Sequence, residues 1–239
     1  KSELGPAEHN SLAFIRPQSE AAETANRIEL QQATDFNTLA VGGTAKVEAP
    51  VVFVGYGITA PDAEYDDYAN VDVKDKVVLI IRKEPEQNNP HSVFDGTSAS
   101  RHAHFATKIS NAYAHGASAI ILVNDRFGIE QQAKSSRKQW NESLDELAEL
   151  RSKFKEVSDP SEEATAEHQK EVGRLVNQLH GLTERLAGDH DEILTLQGAG
   201  PSGTHKKLPV FFASRKVIDD VLTKSLGRDL ASFEAAIDD

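Results

Sequence analysis

Short apolar runs, separated by glycine, proline and polar residues, predict the strands of this chain. The run Val51–Val54 is β-branched and aromatic, and Gly55 and Gly57 after it indicate a bend or a close backbone approach. Val77–Ile81 and Ala119–Val123 are continuously apolar, which is typical of strands buried on both faces. Two further strands are expected, one starting at 46–48 and one over 208–212.

A helical pattern lies between the two fully apolar runs. Phe105, Ile109, Ala112 and Tyr113 recur at helical spacing, and Gly116 stands where a helix commonly ends. A strand, a helix and a second strand in this order predict a right-handed crossover within a mixed sheet.

Two shorter helices are predicted near the end of the chain. Ser214 is a candidate N-cap for a helix whose apolar face includes Val217 and Leu222, and Gly227 would end it. The spacing over Leu230–Ile237 predicts a short closing helix.

Two leucine-rich stripes between about Ile129 and Ile193 predict an antiparallel helical hairpin. Apolar residues recur at steps of three and four over 140–157 and again over 172–186, with a proline between the stripes. Ser158 and Ser161 are the candidate N-caps of the second helix. Each arm would be roughly 30 Å long if about 20 residues are helical. The stripes are expected to pack on each other, with a partner-binding or dimerising surface as the alternative. Trp140 is the residue best suited to dock on the sheet domain or on a partner.

These patterns predict an α/β (α+β) fold with a mixed, barrel-like β-sheet, flanking helices and an inserted antiparallel helical hairpin. We expect three parts. They are a lead-in segment with short strands (1–45), a sheet domain (46–128 and 198–239) and the hairpin insertion (129–197).

Charge and composition narrow the possible partners. The formal net charge is -12, from 38 acidic and 26 basic residues, which disfavours nucleic acid and anionic lipid as partners. No run approaches the roughly 18 apolar residues of a membrane span. The chain has no cysteine, hence no disulfide or thiolate metal site. It also has no methionine and begins at Lys1, so we expect a processed or excised piece of a longer protein.

Candidate catalytic and metal-binding residues are few. None of the nine histidines is followed two positions later by aspartate, and His190-Asp191-Glu192 comes closest. Glu162-Glu163 lies where a helix is predicted to begin, and acidic residues there complement the helix dipole. His102 and His104, with His91 and Asp95 upstream, form the one local group of metal-ligand type, but residues two apart diverge on a strand or helix. Structural or capping roles are therefore the favoured interpretation.

Two loops have a chemical alternative to a structural role. Tyr65–Asp72 is rich in side-chain oxygens like a calcium loop, but it lacks EF-hand spacing, so turns built on Asx hydrogen bonds are expected. Gly198–Gly203 is glycine-rich without a following Lys-Ser/Thr, which favours a flexible loop over a phosphate cradle.

Seven segments of the chain form an ordered set: 52–58, 65–68, 71–79, 101–104, 114–117, 119–125 and 208–211. Together they resemble the protease-associated (PA) domain found beside bacterial zinc aminopeptidases. The likeness covers roughly 45–127 and 205–226, and the helical hairpin interrupts it.

The resemblance implies a non-catalytic lid, substrate-access or interaction module with no cofactor of its own. Its partners would be its own peptidase catalytic domain, which would follow Asp239 and hold zinc, and a peptide or protein substrate. Export to the periplasm, cell surface or exterior is implied as well. The interaction or structural residues that the resemblance points to are Gly55, Tyr56, Gly57, Tyr65, Asp67, Tyr68, Arg101 and His102. The hairpin pattern adds Trp140 to these residues and a homodimer through the hairpin to the alternatives.

Two other functions stay open at this point. The chain could be a divergent metal-dependent hydrolase that uses His102, His104 and Asp95. It could also be a free-standing binding or scaffold protein that grips its partner with the hairpin.

Overall fold

The computed structural model describes residues 10–15, 27–188, 190–195 and 208–238. The strands in this part of the chain are β1 (Leu12–Ile15), β2 (Arg27–Leu30), β3 (Phe36–Thr38), β4 (Val51–Phe53), β5 (Thr59–Ala60), β6 (Tyr65–Asp66), β7 (Val77–Ile81), β8 (Ala119–Val123) and β9 (Val210–Ala213). The helices are α1 (Phe105–Ala114), α2 (Arg126–Lys155), α3 (Glu162–Ala187), α4 (Arg215–Leu226) and α5 (Leu230–Asp238).

Five strands form a mixed sheet in the order β3-β9-β8-β7-β4. Strands β4, β7, β8 and β9 run parallel, and β3 is antiparallel to β9. The order is linear, with β3 and β4 at its edges, so the described strands do not close on themselves. Strands β1 and β2 form a separate antiparallel pair, and β5 and β6 form another. The mixed α/β fold predicted from the sequence is confirmed.

Helices cover both faces of this sheet, which explains the continuously apolar strands. Val78 and Ile80 of β7 pack with Ile109 of α1 in one hydrophobic cluster. Leu79 and Ile81 point the other way, into a cluster that includes Ile218 of α4 and further residues of α5. Because neighbouring residues of a strand face opposite sides, a strand covered on both sides must be apolar throughout.

The hairpin is a compact unit of its own, Arg126–Asp191, and the other unit is Lys1–Asp125 with Glu192–Asp239. Helices α2 and α3 contain 30 and 26 residues, so they are about 45 and 39 Å long at 1.5 Å per residue. Both exceed the predicted length. Helix α2 begins directly after Asp125, and α3 begins directly after its cap at Ser161. The antiparallel helical pair is confirmed.

Side chains on the facing sides of α2 and α3 hold the hairpin together. Leu175 and Leu182 are buried between the helices. Trp140 Nε1 donates to Thr183 Oγ1 at 3.2 Å, and Phe154 stacks on His168 with ring centroids 3.9 Å apart. Trp140 therefore contributes to the internal packing of the hairpin.

The predicted helix ends are confirmed at several positions. Ser161 Oγ accepts from Ala164 N at 3.1 Å and caps α3, and Glu162 and Glu163 occupy the first turn. Ser214 caps α4, which ends at Gly227 in the left-handed conformation.

Three details of the sequence prediction are corrected. Residues 46–48 form no strand, because β4 is an edge strand and its pairing with β7 starts at Val51 opposite Val77. Strand β9 begins at Val210, after Pro209, which has no N–H for a sheet ladder. Tyr113 is 51% exposed and does not belong to the buried face of α1. None of the described helices is long and apolar enough to cross a membrane.

Candidate functional site

The strip Val54–Ile58, directly after β4, is completely buried, and its two glycines are required by its conformation. Gly55 and Gly57 have φ angles of 50° and 65°, in the left-handed region that favours glycine. A Cβ atom on Gly57 would lie 2.9 Å from Ile80 Cδ1, and one on Gly55 would lie 2.5 Å from Asp67 Oδ1. The strip therefore passes directly over β7 and against Asp67, where no larger residue fits.

Asp67 fastens the strip from the β5–β6 side. Its Oδ2 accepts from Ile58 N at 2.9 Å, its own N donates to Ile58 O at 2.8 Å, and its Oδ1 accepts from Tyr65 Oη at 2.8 Å. Burial raises the pKa of Asp67, although these hydrogen bonds oppose the rise. Burial also raises the pKa of Tyr65.

The oxygen-rich loop that follows is built on Asx turns, as predicted. Asp66 Oδ1 accepts from Tyr68 N at 3.1 Å, and Asp72 Oδ1 accepts from Lys74 N at 3.2 Å. Tyr68 itself is buried and stacks on His115 with ring centroids 4.2 Å apart. The carboxylates of this loop thus serve to shape the backbone.

Lys108 of α1 holds the strip from the opposite side, and it is not among the residues predicted from the sequence. Its side chain is 1% exposed, and its Nζ donates to the carbonyl oxygen of Tyr56. From the same helix, Asn111 Nδ2 donates to Gly57 O at 3.1 Å. Burial lowers the pKa of Lys108 to about 7, and the nearby Asp67, Glu84 and Asp125 limit that fall. One signal was available, because Lys108 lies three residues after Phe105 and four before Ala112, on the apolar face of the predicted helix.

Polar side chains also follow the carboxyl ends of the parallel strands. Arg82 follows β7, and its Nη1 donates to Oδ1 of Asn124, after β8, at 2.6 Å. Arg215 follows β9 and donates to Asn124 O at 2.9 Å and to Glu234 Oε2 at 2.6 Å. Tyr56 Oη reaches Glu234 Oε1 at 3.4 Å. These cross-links join five neighbouring chain segments, so the cluster stabilises the edge of the sheet.

Segment 82–104 covers this edge. Glu84 and Ser100 close the base of the segment, with Glu84 Oε1 accepting from Ser100 N at 2.8 Å and Glu84 Oε2 accepting from Ser100 Oγ. Phe94 is 3% exposed and contacts the ring of Tyr65, with centroids 5.1 Å apart. Non-glycine residues with left-handed φ angles lie along the segment: Lys83, Glu86 and Asp95. The segment is therefore an ordered loop held at its base and at its centre.

The three residues that the hydrolase alternative would use, His102, His104 and Asp95, have separate structural surroundings. The ring of His102 lies edge-on to Phe94 and accepts from Arg101 Nε at 3.2 Å, and burial together with Arg101 lowers its pKa. His104 is exposed, and its carbonyl oxygen accepts from the amides that begin α1. Asp95 is exposed on the covering segment. In the part of the chain that the structure describes, no three His, Asp or Glu residues are grouped to hold a metal ion. The donor set does not fit a zinc site.

The remaining predicted residues are placed as follows. Arg101 is exposed, and its Nη2 lies 3.6 Å from Asp62 Oδ2. Trp140 belongs to the hairpin unit. The loop Gly198–Gly203 lies outside the described residues. Gly55, Tyr56, Gly57, Tyr65 and Asp67 are brought together, and Lys108 lies against them.

One comparison with known proteins finds a domain match over part of the chain. Residues 47–148 match the PA domain. The match includes β4 to β8 and runs into α2, whereas β3 and β9, which complete the sheet, lie outside it. No curated protein and no solved structure matches the chain.

Proposed function

Because residues 47–148 form a PA domain, we propose that the chain is the non-catalytic access and interaction module of an exported zinc aminopeptidase. PA domains are protease-associated modules that bind substrates or mediate protein interactions, and they are generally non-catalytic. In the proposed protein, a separate catalytic domain holds the zinc, and this chain influences which peptides reach it.

The observation that carries this proposal is the PA match over the strip and its braces. Lys108, Asp67 and the two strip glycines all lie inside the matched range, and they are committed to backbone contacts. Two charged side chains of the matched segment, Lys108 and Asp67, thus serve to hold the fold together. Such use is consistent with a module that presents a surface and performs no chemistry.

The sequence supports the same division of labour. A zinc aminopeptidase of the associated type needs a His-x-Asp element, and this chain has none. Glu162-Glu163, the one adjacent pair of glutamates, lies in the first turn of α3.

The helical hairpin offers the surface for a peptide, for the catalytic domain or for a second copy of the chain. An open hollow of about 550 Å³ lies along it, lined by Leu144, Leu147, Ala148, Arg151, His168 and Val172. Leu144 and Val176 are 37% and 49% exposed, which leaves apolar surface uncovered on the hairpin.

The test uses the full-length protein encoded by the gene. Residues 126–191 are replaced by a short Gly-Ser linker, which can join the ends because Asn124 Nδ2 already donates to Glu192 O at 3.1 Å. With a single aminoacyl chromogenic amide, kcat should stay within twofold. With peptides of ten or more residues, KM should change severalfold.

Two results would contradict the proposal. The full-length protein would show no zinc-dependent aminopeptidase activity, or the linker variant would lose kcat equally on both substrates while unfolding at the same temperature as the parent. No observation favours the hydrolase built on His102, His104 and Asp95. A scaffold that grips its partner through the hairpin would survive the first of these results.

A further inference from the structure

Lys108 has a titratable amino group in the interior of the protein, where it forms a hydrogen bond to a backbone carbonyl oxygen. It is 1% exposed, and its Nζ donates to the carbonyl oxygen of Tyr56. The Tyr56 ring lies beside the same ammonium group, with Nζ 5.8 Å from the ring centroid. A buried ammonium group is costly unless other charges and hydrogen bonds compensate it.

Charged and titratable groups face Lys108 from every neighbouring segment. Asp67 follows β6, Glu84 and Arg82 follow β7, and Asp125 follows β8. His102 precedes α1 and senses the charge of Lys108. Glu234 and Asp238 of α5 lie at the far end of Tyr56, with oxygens 3.4 and 3.5 Å from its hydroxyl group. Carboxylates outnumber cations around Lys108, so the gain or loss of the Lys108 proton changes the net charge of this interior.

We propose that Lys108 is a protonation-controlled latch that sets how firmly α1 grips the strip Val54–Ile58. The contact joins α1, which covers one face of the sheet, to the backbone of the buried strip. Asn111 forms a second, non-titrating contact with the same strip through Gly57 O. The gain or loss of a proton on Lys108 therefore alters one of two parallel attachments and leaves the other in place.

The direction of the effect follows from proton linkage. Burial lowers the pKa of Lys108 from 10.5 to about 7, with Asp67, Glu84 and Asp125 acting in the opposite direction. Between these two values a state with Lys108 in water binds more protons than the closed state. The closed state is therefore favoured as pH rises through this window, and opening increases up to about tenfold for each pH unit of acidification within it. Below about pH 7 Lys108 contributes no further change.

The carboxyl group nearest to the strip acts with the opposite sign and in another window. Burial raises the pKa of Asp67, so its contribution favours the closed state as pH falls through that value, on the acid side. The two groups can therefore be distinguished by the pH at which the strip responds.

The experiment reads the latch at its acceptor atom. Tyr56-Gly57 is the one Tyr-Gly pair in the sequence, so a chain carrying carbonyl-¹³C tyrosine and ¹⁵N glycine gives a single coupled signal from the Tyr56 carbonyl. This signal should shift between pH 6 and 9 with one midpoint near 7. It should not inflect in Lys108→Met or in Lys108→Arg, whose guanidinium keeps its charge throughout.

Three controls isolate the latch. Lys216→Met removes an exposed lysine of α4 and should keep the inflection. His102→Gln and His115→Gln should also keep it, because neither change removes the Lys108 amine to which the inflection is assigned. If both Lys108 variants fail to fold, the proposal still requires an inflection in the wild-type curve and in the curves of the two histidine variants.

The proposal is overturned by a flat wild-type curve between pH 6 and 9. It is equally overturned by an inflection that survives in a folded Lys108→Met chain, or by one that disappears in either histidine variant.

Discussion

The replacement of Gly57 by alanine tests the claim that the strip lies over β7 with no space for a side chain. The left-handed φ of 65° costs a non-glycine residue about 1–2 kcal/mol. The new Cβ would lie 2.9 and 3.0 Å from the Cδ1 and Cγ2 atoms of Ile80, which is fully buried, and overpacking of this kind costs about 1–3 kcal/mol. Alanine also restricts the unfolded chain, which returns about 0.4–1 kcal/mol. We expect a net loss of about 1–4.5 kcal/mol in the free energy of unfolding.

Urea unfolding followed by circular dichroism measures this loss, with Gly173→Ala as the matched control. Gly173 lies inside α3, and a Cβ there has no neighbour within 4 Å. Alanine should stabilise α3 by about 0.5–1 kcal/mol, because glycine is a poor helix former. Since the two glycines belong to different compact units, separate unfolding transitions would be fitted separately. A Gly57→Ala chain within about 0.5 kcal/mol of the parent would refute the close approach of the strip to β7.

Three further predictions concern the buried polar groups. Unfolding free energy should rise between about pH 7 and 9.5 by up to about 1.4 kcal/mol per pH unit, because the unfolded chain keeps the Lys108 proton to 10.5 and the folded one only to about 7. The Lys108→Met chain should lack that rise in urea titrations at several pH values, and an unchanged slope would contradict the assignment. Arg215→Met removes the guanidinium group that lies 2.6 Å from the buried Glu234 carboxylate and should cost about 3–5 kcal/mol in the same assay, whereas a loss below about 1 kcal/mol would refute a buried ion pair. Glu84→Ala removes both acceptors of Ser100 and should speed proteolytic cleavage within segment 82–104, and an unchanged cleavage rate would show that the segment is held elsewhere.

The two central buried strands could be predicted from the sequence because they depend on local apolar patterns, whereas the linear strand order and the open sheet could not. Val77–Ile81 and Ala119–Val123 are apolar at every position, and the structure buries both faces of each strand. Ser161, Ser214 and Gly227 marked helix ends through short-range hydrogen bonding and backbone freedom. Such signals involve a few consecutive residues, so they can be read without the fold.

The polar interior could not be predicted in the same way. Lys108 and Tyr56 are 52 positions apart, which is far beyond the reach of a local motif. Their contact exists only once α1 lies over the strip. The pairing of Glu84 with Ser100 likewise depends on the path of a whole loop. A lysine on the apolar face of a helix is the one local sign of such a network. In a similar chain, a lysine on the apolar face of a predicted helix indicates a buried amino group that donates to a carbonyl oxygen.

A combined zinc-binding and hydrolysis measurement on the purified 239-residue chain tests the central claim most directly. The chain is stripped with a chelator, dialysed against zinc, analysed for bound metal and assayed with aminoacyl chromogenic amides. The account predicts less than stoichiometric zinc and no turnover above the zinc-only control. Stoichiometric zinc, with hydrolysis that is lost on chelation and restored by the metal, would contradict it.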